Sequence, residues 1–277
     1  MISEEIGRIG LIPIAVFERE EDILPTAKAL LQADIPVIEI TFRTSLAEPA
    51  IKKVKQAFPE MLVGAGTILT KEQAYTAVKA GADFIVTPGL KEEVVKVCQK
   101  EEKLIIPGCV TPSEISRAFE LGIHIVKFFP ASVYGGIKGC KALHGPFGNI
   151  KFVPTGGVGL ENLQDYAKLP FIHAVGGGWL CDKKDMLSGN YARISETAKK
   201  SIDVLLGFGV MGEDSIPVSF HSVAENEKGQ GKQSIYTNSV ERAIYYLGKY
   251  GWKMEKREED RVRLKDEQGA EVCLVQA

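Results

Sequence analysis

The residues best placed for chemistry are a lysine, a glutamate and an arginine in two short apolar runs. In IEITFRT, residues 38–44, Glu39, Thr41 and Arg43 share one parity while Ile38, Ile40 and Phe42 share the other. Period-two strand geometry puts the polar set on one face. In HIVKFF, residues 124–129, Ile125, Lys127 and Phe129 likewise fall together. Among aliphatic and aromatic side chains the charged form of a lysine is disfavoured by desolvation, and the neutral amine is the species that attacks a carbonyl. Such an amine is the nucleophile of Schiff-base chemistry, and a nearby carboxylate can move the protons that addition and dehydration require. The same spacing also admits a structural Lys127–Glu39 pair, or a lysine reaching past the strand end to solvent.

Two further runs end in glycines, Gly156-Gly157 and Gly176-Gly177-Gly178. Glycine lets backbone N–H groups approach an anion closely, and two such clusters on adjacent strands favour phosphate over simple tight turns. GAGT at residues 64–67 lacks the lysine of a P-loop and the third glycine of a dinucleotide fingerprint, so it reads as a tight strand end. His124, His144, His173 and His221 form no i, i+4 pair and have no cysteine spacing beside them, so no metal or cofactor is expected. The five cysteines (Cys98, Cys109, Cys140, Cys181 and Cys273) are odd in number and contain no CxxC pair, which fits reduced thiols in a cytoplasmic protein.

The elements that must position these residues are legible as alternation. Eight apolar runs begin at residues 11, 36, 62, 83, 104, 124, 151 and 172, separated by stretches of helical periodicity such as AEPAIKKVKQAF and KEEVVKVCQK. Eight βα units in about 200 residues predict an α/β fold and point to a (β/α)8 TIM barrel more than to an open doubly wound sheet, which stays as the alternative. Reactive groups then belong at the C-terminal ends of the strands, where Glu39, Lys127 and the glycine clusters fall. A last helix with Ile194, Ala198, Ile202 and Leu205 on one stripe would close a domain of residues 1–208. Residues 209–233 mix Gly, Pro and charge and read as a linker with room for one short strand.

Residues 234–277 read as a small α+β appendage of order βαβββ, with Val240, Ala243, Ile244 and Leu247 as the helix stripe. The 34 basic and 36 acidic residues leave a formal charge of −2, giving no general reason to expect nucleic acid or membrane partners. Acids at positions 4 and 5 do not fit a signal peptide, and no stretch reaches transmembrane length.

Residues 7 to about 207 closely resemble the 2-keto-3-deoxy-6-phosphogluconate and 4-hydroxy-2-oxoglutarate aldolase family. The match runs in order through IEITFRT, VGAGTIL, FIVTPGL, IIPGCVTPSE, VKFFPAS, GPFGNIKFVPTGGV and AVGGGWL. The resemblance implies a metal-independent class I aldolase, usually trimeric, splitting a phosphorylated keto-deoxy sugar acid of the Entner-Doudoroff type into pyruvate and glyceraldehyde 3-phosphate. It implies Lys127 as the Schiff-base lysine and Glu39 as general acid/base. Arg43 and Thr67 match the residues that hold the pyruvate carboxylate, and Pro88 and Phe129 line the pocket. Thr155, Gly156, Gly157, Gly177 and Gly178 complete the substrate-binding set toward the phosphate. Where several members have a serine in GGSW this chain has Gly178, which leaves the preferred aldehyde partner open. Hydroxy-oxoglutarate, the galactonate epimer, or a keto-acid sensor with reduced activity are the alternatives.

The appendage looks like one half of a glyoxalase-like (vicinal oxygen chelate) module. Such modules work in pairs, so a lone copy is expected to need the barrel or another subunit, extending a homo-oligomer. A metal shared between two copies through His221 or Glu271 is the sharper alternative.

Overall fold

The structure is a computed structural model that describes residues 1–210, 216–224, 233–258 and 261–277; the side chains of Val210, Ile216, Pro217, His221 and Gln233 also lie outside the description. Parallel strands and helices alternate from the start. They run α1 (Ile2–Ile9), β1 (Leu11–Ala15), α2 (Ile23–Leu31), β2 (Val37–Thr41), α3 (Ala47–Ala57), β3 (Leu62–Gly66), α4 (Lys71–Ala80), β4 (Phe84–Val86) and α5 (Glu92–Lys100). Next come β5 (Leu104–Ile106), α6 (Pro112–Glu120), β6 (Ile125–Phe128), α7 (Gly136–His144), β7 (Lys151–Pro154), α8 (Leu160–Ala167) and β8 (Val175–Gly177). Helices α9 (Lys183–Leu187) and α10 (Tyr191–Leu206) follow. All eight expected runs are strands.

The local chemistry of the boundaries is explicit. Thr70 accepts from the Gln73 N–H to start α4, and Thr111 and Glu114 cap α6 reciprocally. Each strand is short and buried on both faces, as β2 is along its whole length, because one face meets the ring interior and the other the helices.

Strands β5, β4, β3, β2, β1 and β8 pair in that order, and β6 pairs with β7. Parallel bridges Gly108↔Lys127 and Thr155↔Gly176 link the two groups. At the first junction the Lys127 N–H donates to Pro107 O (2.8 Å) and the Cys109 N–H donates to Lys127 O (2.9 Å). The eight strands therefore follow one another around a ring. Across it, Ile14, Glu39, Gly64, Phe84 and Leu104 stand in register on β1 to β5. Helix α10 packs on α2 and α8 with Ile194, Ala198, Ile202 and Leu205 all buried, as its periodicity predicts.

A second sheet follows. Strands β9 (Gly209–Val210), β10 (Ile216–Pro217), β11 (Gln233–Thr237), β12 (Lys253–Arg257), β13 (Arg261–Lys265) and β14 (Glu271–Gln276) order as β10-β9-β11-β14-β13-β12. β11 and β14 are parallel; the other pairs are antiparallel. The segment expected as a linker thus contributes β9, β10 and the helix α11 (Phe220–Ala224), with Phe220, Val223 and Ala224 buried. Residues 211–215 and 225–232 of that segment lie outside the described residues.

Helix α12 (Val240–Gly248) packs on α1 and on β14 at once. Its buried set is Arg242, Ala243, Tyr246 and Leu247, while Val240 and Ile244, expected in the stripe, are half-buried. A helix covered on two sides buries two faces, and the second carries polar tips that find backbone partners. Tyr246 Oη donates to Ile9 O (2.8 Å), and Arg242 donates to Gly7, Ile172 and His173 carbonyls. Beyond the helix, Tyr250 Oη donates to Asp34 Oδ2 (2.8 Å).

Candidate active site

Two strands deliver the central pair. Lys127 on β6 and Glu39 on β2 are 6% and 2% exposed, and Lys127 Nζ donates to Glu39 Oε1 at 3.3 Å. The parity argument places both inside the ring, where they meet across 88 residues of sequence. Phe129, half-buried and following β6, lies with its ring centre 5.3 Å from the same Nζ. An amine with one carboxylate and one aromatic face, shielded from water, is positioned to attack a carbonyl with an acid/base at hand.

Glycine makes this contact possible. A Cβ on Gly66 at the end of β3 would overlap the Glu39 carboxylate, so the strand beside β2 must be bare there. Thr67 follows with φ +58, left-handed for a β-branched residue, a conformation that costs about 1–3 kcal/mol and tends to persist at functional sites. Thr41, next on the inward face of β2, is buried with its Oγ1 unpartnered among the described residues. It carries the same parity signal as Glu39, yet an uncharged hydroxyl does not stand out in sequence.

Arg43 lies two residues beyond β2, exposed, with no hydrogen bond or ion pair among the described residues. A guanidinium left without a protein partner near the mouth is available to a carboxylate ligand. Pro88, exposed beyond the end of β4, has its carbonyl against Gly108, where no Cβ would fit.

The glycine clusters separate into different roles. Thr155 is buried, its carbonyl accepting from the Ala131 N–H (2.8 Å). Gly156 and Gly157 both have positive φ, +87 and +73. A Cβ on Gly156 would come to 3.3 Å of the Phe129 ring, tying that loop to the Lys127 pocket, and one on Gly157 would overlap Ser132. Gly177 is bare because the Trp179 ring covers it, with Trp179 Nε1 donating to Ser201 Oγ (3.1 Å). Gly178 is exposed with nothing within 4 Å of a built Cβ. Packing thus accounts for Gly177, and no such constraint acts at Gly178.

Among the described residues no three His, Cys, Asp or Glu side chains cluster as metal ligands. The side chain of His221 lies outside them. No described helix is long and apolar enough to cross a membrane.

Residues 2–197 match the family described as "Aldolase: KDPG and KHG aldolase". The chain belongs to that family. It is 42% identical over 204 residues to the 2-dehydro-3-deoxy-phosphogluconate aldolase of Haemophilus influenzae, covering 74% of this chain and 96% of the relative. The aldolase is also similar to a solved KDPG aldolase from Legionella pneumophila with pyruvate captured as a covalent carbinolamine, at 37% identity and TM-score 0.69 over 71% of this chain and 96% of that one. A KDPG aldolase from Zymomonas mobilis ZM4 with 3-phosphoglycerate matches at 32% identity and TM-score 0.67, over 72% and 94%. The C-terminal unit of the aldolase lies beyond the family match, which ends at residue 197.

Proposed function

We propose that the chain is a class I aldolase cleaving 2-keto-3-deoxy-6-phosphogluconate into pyruvate and glyceraldehyde 3-phosphate at the mouth of a (β/α)8 barrel. The buried Lys127 Nζ, 3.3 Å from Glu39 Oε1 and facing Phe129, carries the reading. The amine adds to the C2 ketone, and Glu39 moves the proton that lets the carbinolamine lose water. The resulting iminium accepts the electron pair of the C3–C4 bond as Glu39, directly or through water, takes the C4 hydroxyl proton. The aldehyde departs, the enamine is protonated at C3, and water returns pyruvate and free Lys127. Arg43 neutralises the keto-acid carboxylate and fixes its orientation, with Thr67 beside it. Thr155, Gly156, Gly157 and Gly178 receive the phosphate end.

Pyruvate plus borohydride should leave an irreversible adduct on Lys127, located by mass spectrometry of peptides, and Lys127→Ala should abolish turnover. Adduct on another lysine, or activity without Lys127, would reject the assignment.

The second reading is 4-hydroxy-2-oxoglutarate or the galactonate epimer as preferred substrate, favoured by the missing hydroxyl at Gly178. A keto-acid sensor is the weaker alternative, because Lys127, Glu39 and Arg43 are all present. A cytoplasmic homotrimer, and a glyoxalase-like ancestry for the βαβββ unit, belong to the same proposal and rest on the resemblance.

A further inference from the structure

Opposite the mouth, where the chain enters β6, β7 and β8, a cavity of about 550 Å³ lies between the ring and the C-terminal unit. Arg8 of α1, Lys151 at the start of β7 and Arg242 of α12 all line it. The side chains of Arg8 and Lys151 have no hydrogen bond or ion pair among the described residues, although the Lys151 backbone N–H donates to His124 O. Arg242 is 6% exposed; its Nε donates to Gly7 O (3.2 Å) and its Nη2 to Ile172 O (2.9 Å) and His173 O (3.2 Å), with no carboxylate paired to it among the described residues. Burial pulls its proton affinity down to about 10, which still leaves it cationic at neutral pH.

Two carboxylates also face the cavity, and both are already engaged. Glu4 pairs with the Met1 amine at 3.2 Å and Glu241 with Arg257. His173 adds no charge: burial first, then Lys151 and Arg242, lower it to about 4, and its Nε2 donates to Ser3 O (2.8 Å). The first turn of α12 points its positive end to the same place. There the Val240 N–H goes to Gln276 and the Arg242 N–H to Ser239, leaving the Glu241 N–H without a partner among the described residues.

Three cations on three separate elements line one cavity with no carboxylate paired to any of them among the described residues, and one of them, Arg242, is almost wholly buried. Such a charge is costly to hold unless something of opposite sign completes it. We propose that this seam binds a phosphate-type dianion, either inorganic phosphate or a small phosphomonoester, between Arg8, Lys151 and Arg242, so that the ligand clamps the C-terminal unit to the ring. A dianion suits the three cations better than a single carboxylate, and the guanidinium forks match its oxygens. The site is separate from the mouth, at the opposite strand ends, and does not depend on which keto acid is cleaved.

Hydrogen exchange of the full-length protein, titrated with inorganic phosphate and separately with glycerol phosphate at constant ionic strength, tests it. Saturable protection of α1 and of the first turns of α12 is expected, and the double variant Arg8→Glu/Lys151→Glu should weaken it by about tenfold or more while turnover without added phosphate is unchanged. The milder Lys151→Gln should weaken it in the same direction if the double variant folds poorly. Protection confined to the loops after β7 and β8, equal protection by chloride, or protection unaltered in the variants would overturn the proposal. Response to one ligand and not the other identifies the source.

Discussion

At Lys127 the neighbours decide what an amine can do: a carboxylate at 3.3 Å, an aromatic ring and almost no water. Glu39→Gln keeps the shape and removes the base, so kcat should fall by roughly 10²–10⁴-fold while the borohydride-trapped adduct still forms at Lys127, more slowly. Near-normal kcat in that variant would take Glu39 out of the mechanism. Gly178 tests the other end of the substrate. Its surroundings leave room for a side chain, so Gly178→Ser should fold normally and lower KM for the phosphorylated substrate severalfold relative to hydroxy-oxoglutarate. An equal change for both substrates would place position 178 away from the phosphate. Lys127, Glu39 and Phe129 were legible in the sequence because charge and parity coincide at strand ends. Thr41 was not, since its unpartnered hydroxyl becomes visible only when burial is known. Gly177 was read as an anion contact, yet the ring of Trp179 explains its bareness, a packing relation that no spacing encodes.

The strands matter as spacers as much as supports. β3 pairs with β2 so that Thr41 faces Gly66 and Glu39 faces Gly64, and Gly64 in turn lies under Phe84. One glycine leaves room for the interior ring and the other for the carboxylate. Gly66→Ala should therefore displace Glu39 from Lys127, lowering kcat by an order of magnitude or more while circular dichroism still reports the native fold. Full activity in Gly66→Ala would mean the carboxylate has slack that its contacts do not suggest. The eight strands could be read in sequence because each is buried on both faces and appears as a compact apolar run. The ring junctions at β5/β6 and β7/β8 could not: they depend on isolated bridges, Gly108↔Lys127 at the first and Phe152↔Ile172 and Thr155↔Gly176 at the second, each with one partner outside a strand. Two-residue β9 and β10 carry too little pattern to be placed beyond the one short strand the segment had room for; pairing of β9 with β11, and of β10 with β9, defines them.

For the molecule as a whole, the question is how a unit outside the family match is held to the ring. One apolar stripe on α12 suggested a helix with a single covered face, yet the structure buries Arg242 and Tyr246 as well, because α1 covers the second side. The arginine sends its donors to three carbonyls near the entrances of the strands, and the tyrosine caps Ile9 O. Since Arg242 has no carboxylate partner among the described residues, Arg242→Leu strands no opposite charge there; it removes charge-assisted donors from three acceptors and also relieves a desolvated cation. Lost bonds of about 1.5–3 kcal/mol each against that relief leave a net destabilisation of about 2–4 kcal/mol, visible as a lower denaturant midpoint. Turnover at a temperature where the variant is folded should not change, because the mouth lies at the other strand ends. A variant as stable as the parent would mean that the C-terminal unit is held by its other contacts, the buried Tyr246, Leu247 and Phe220 and the Tyr246 and Tyr250 hydroxyl bonds, with the arginine as a passenger.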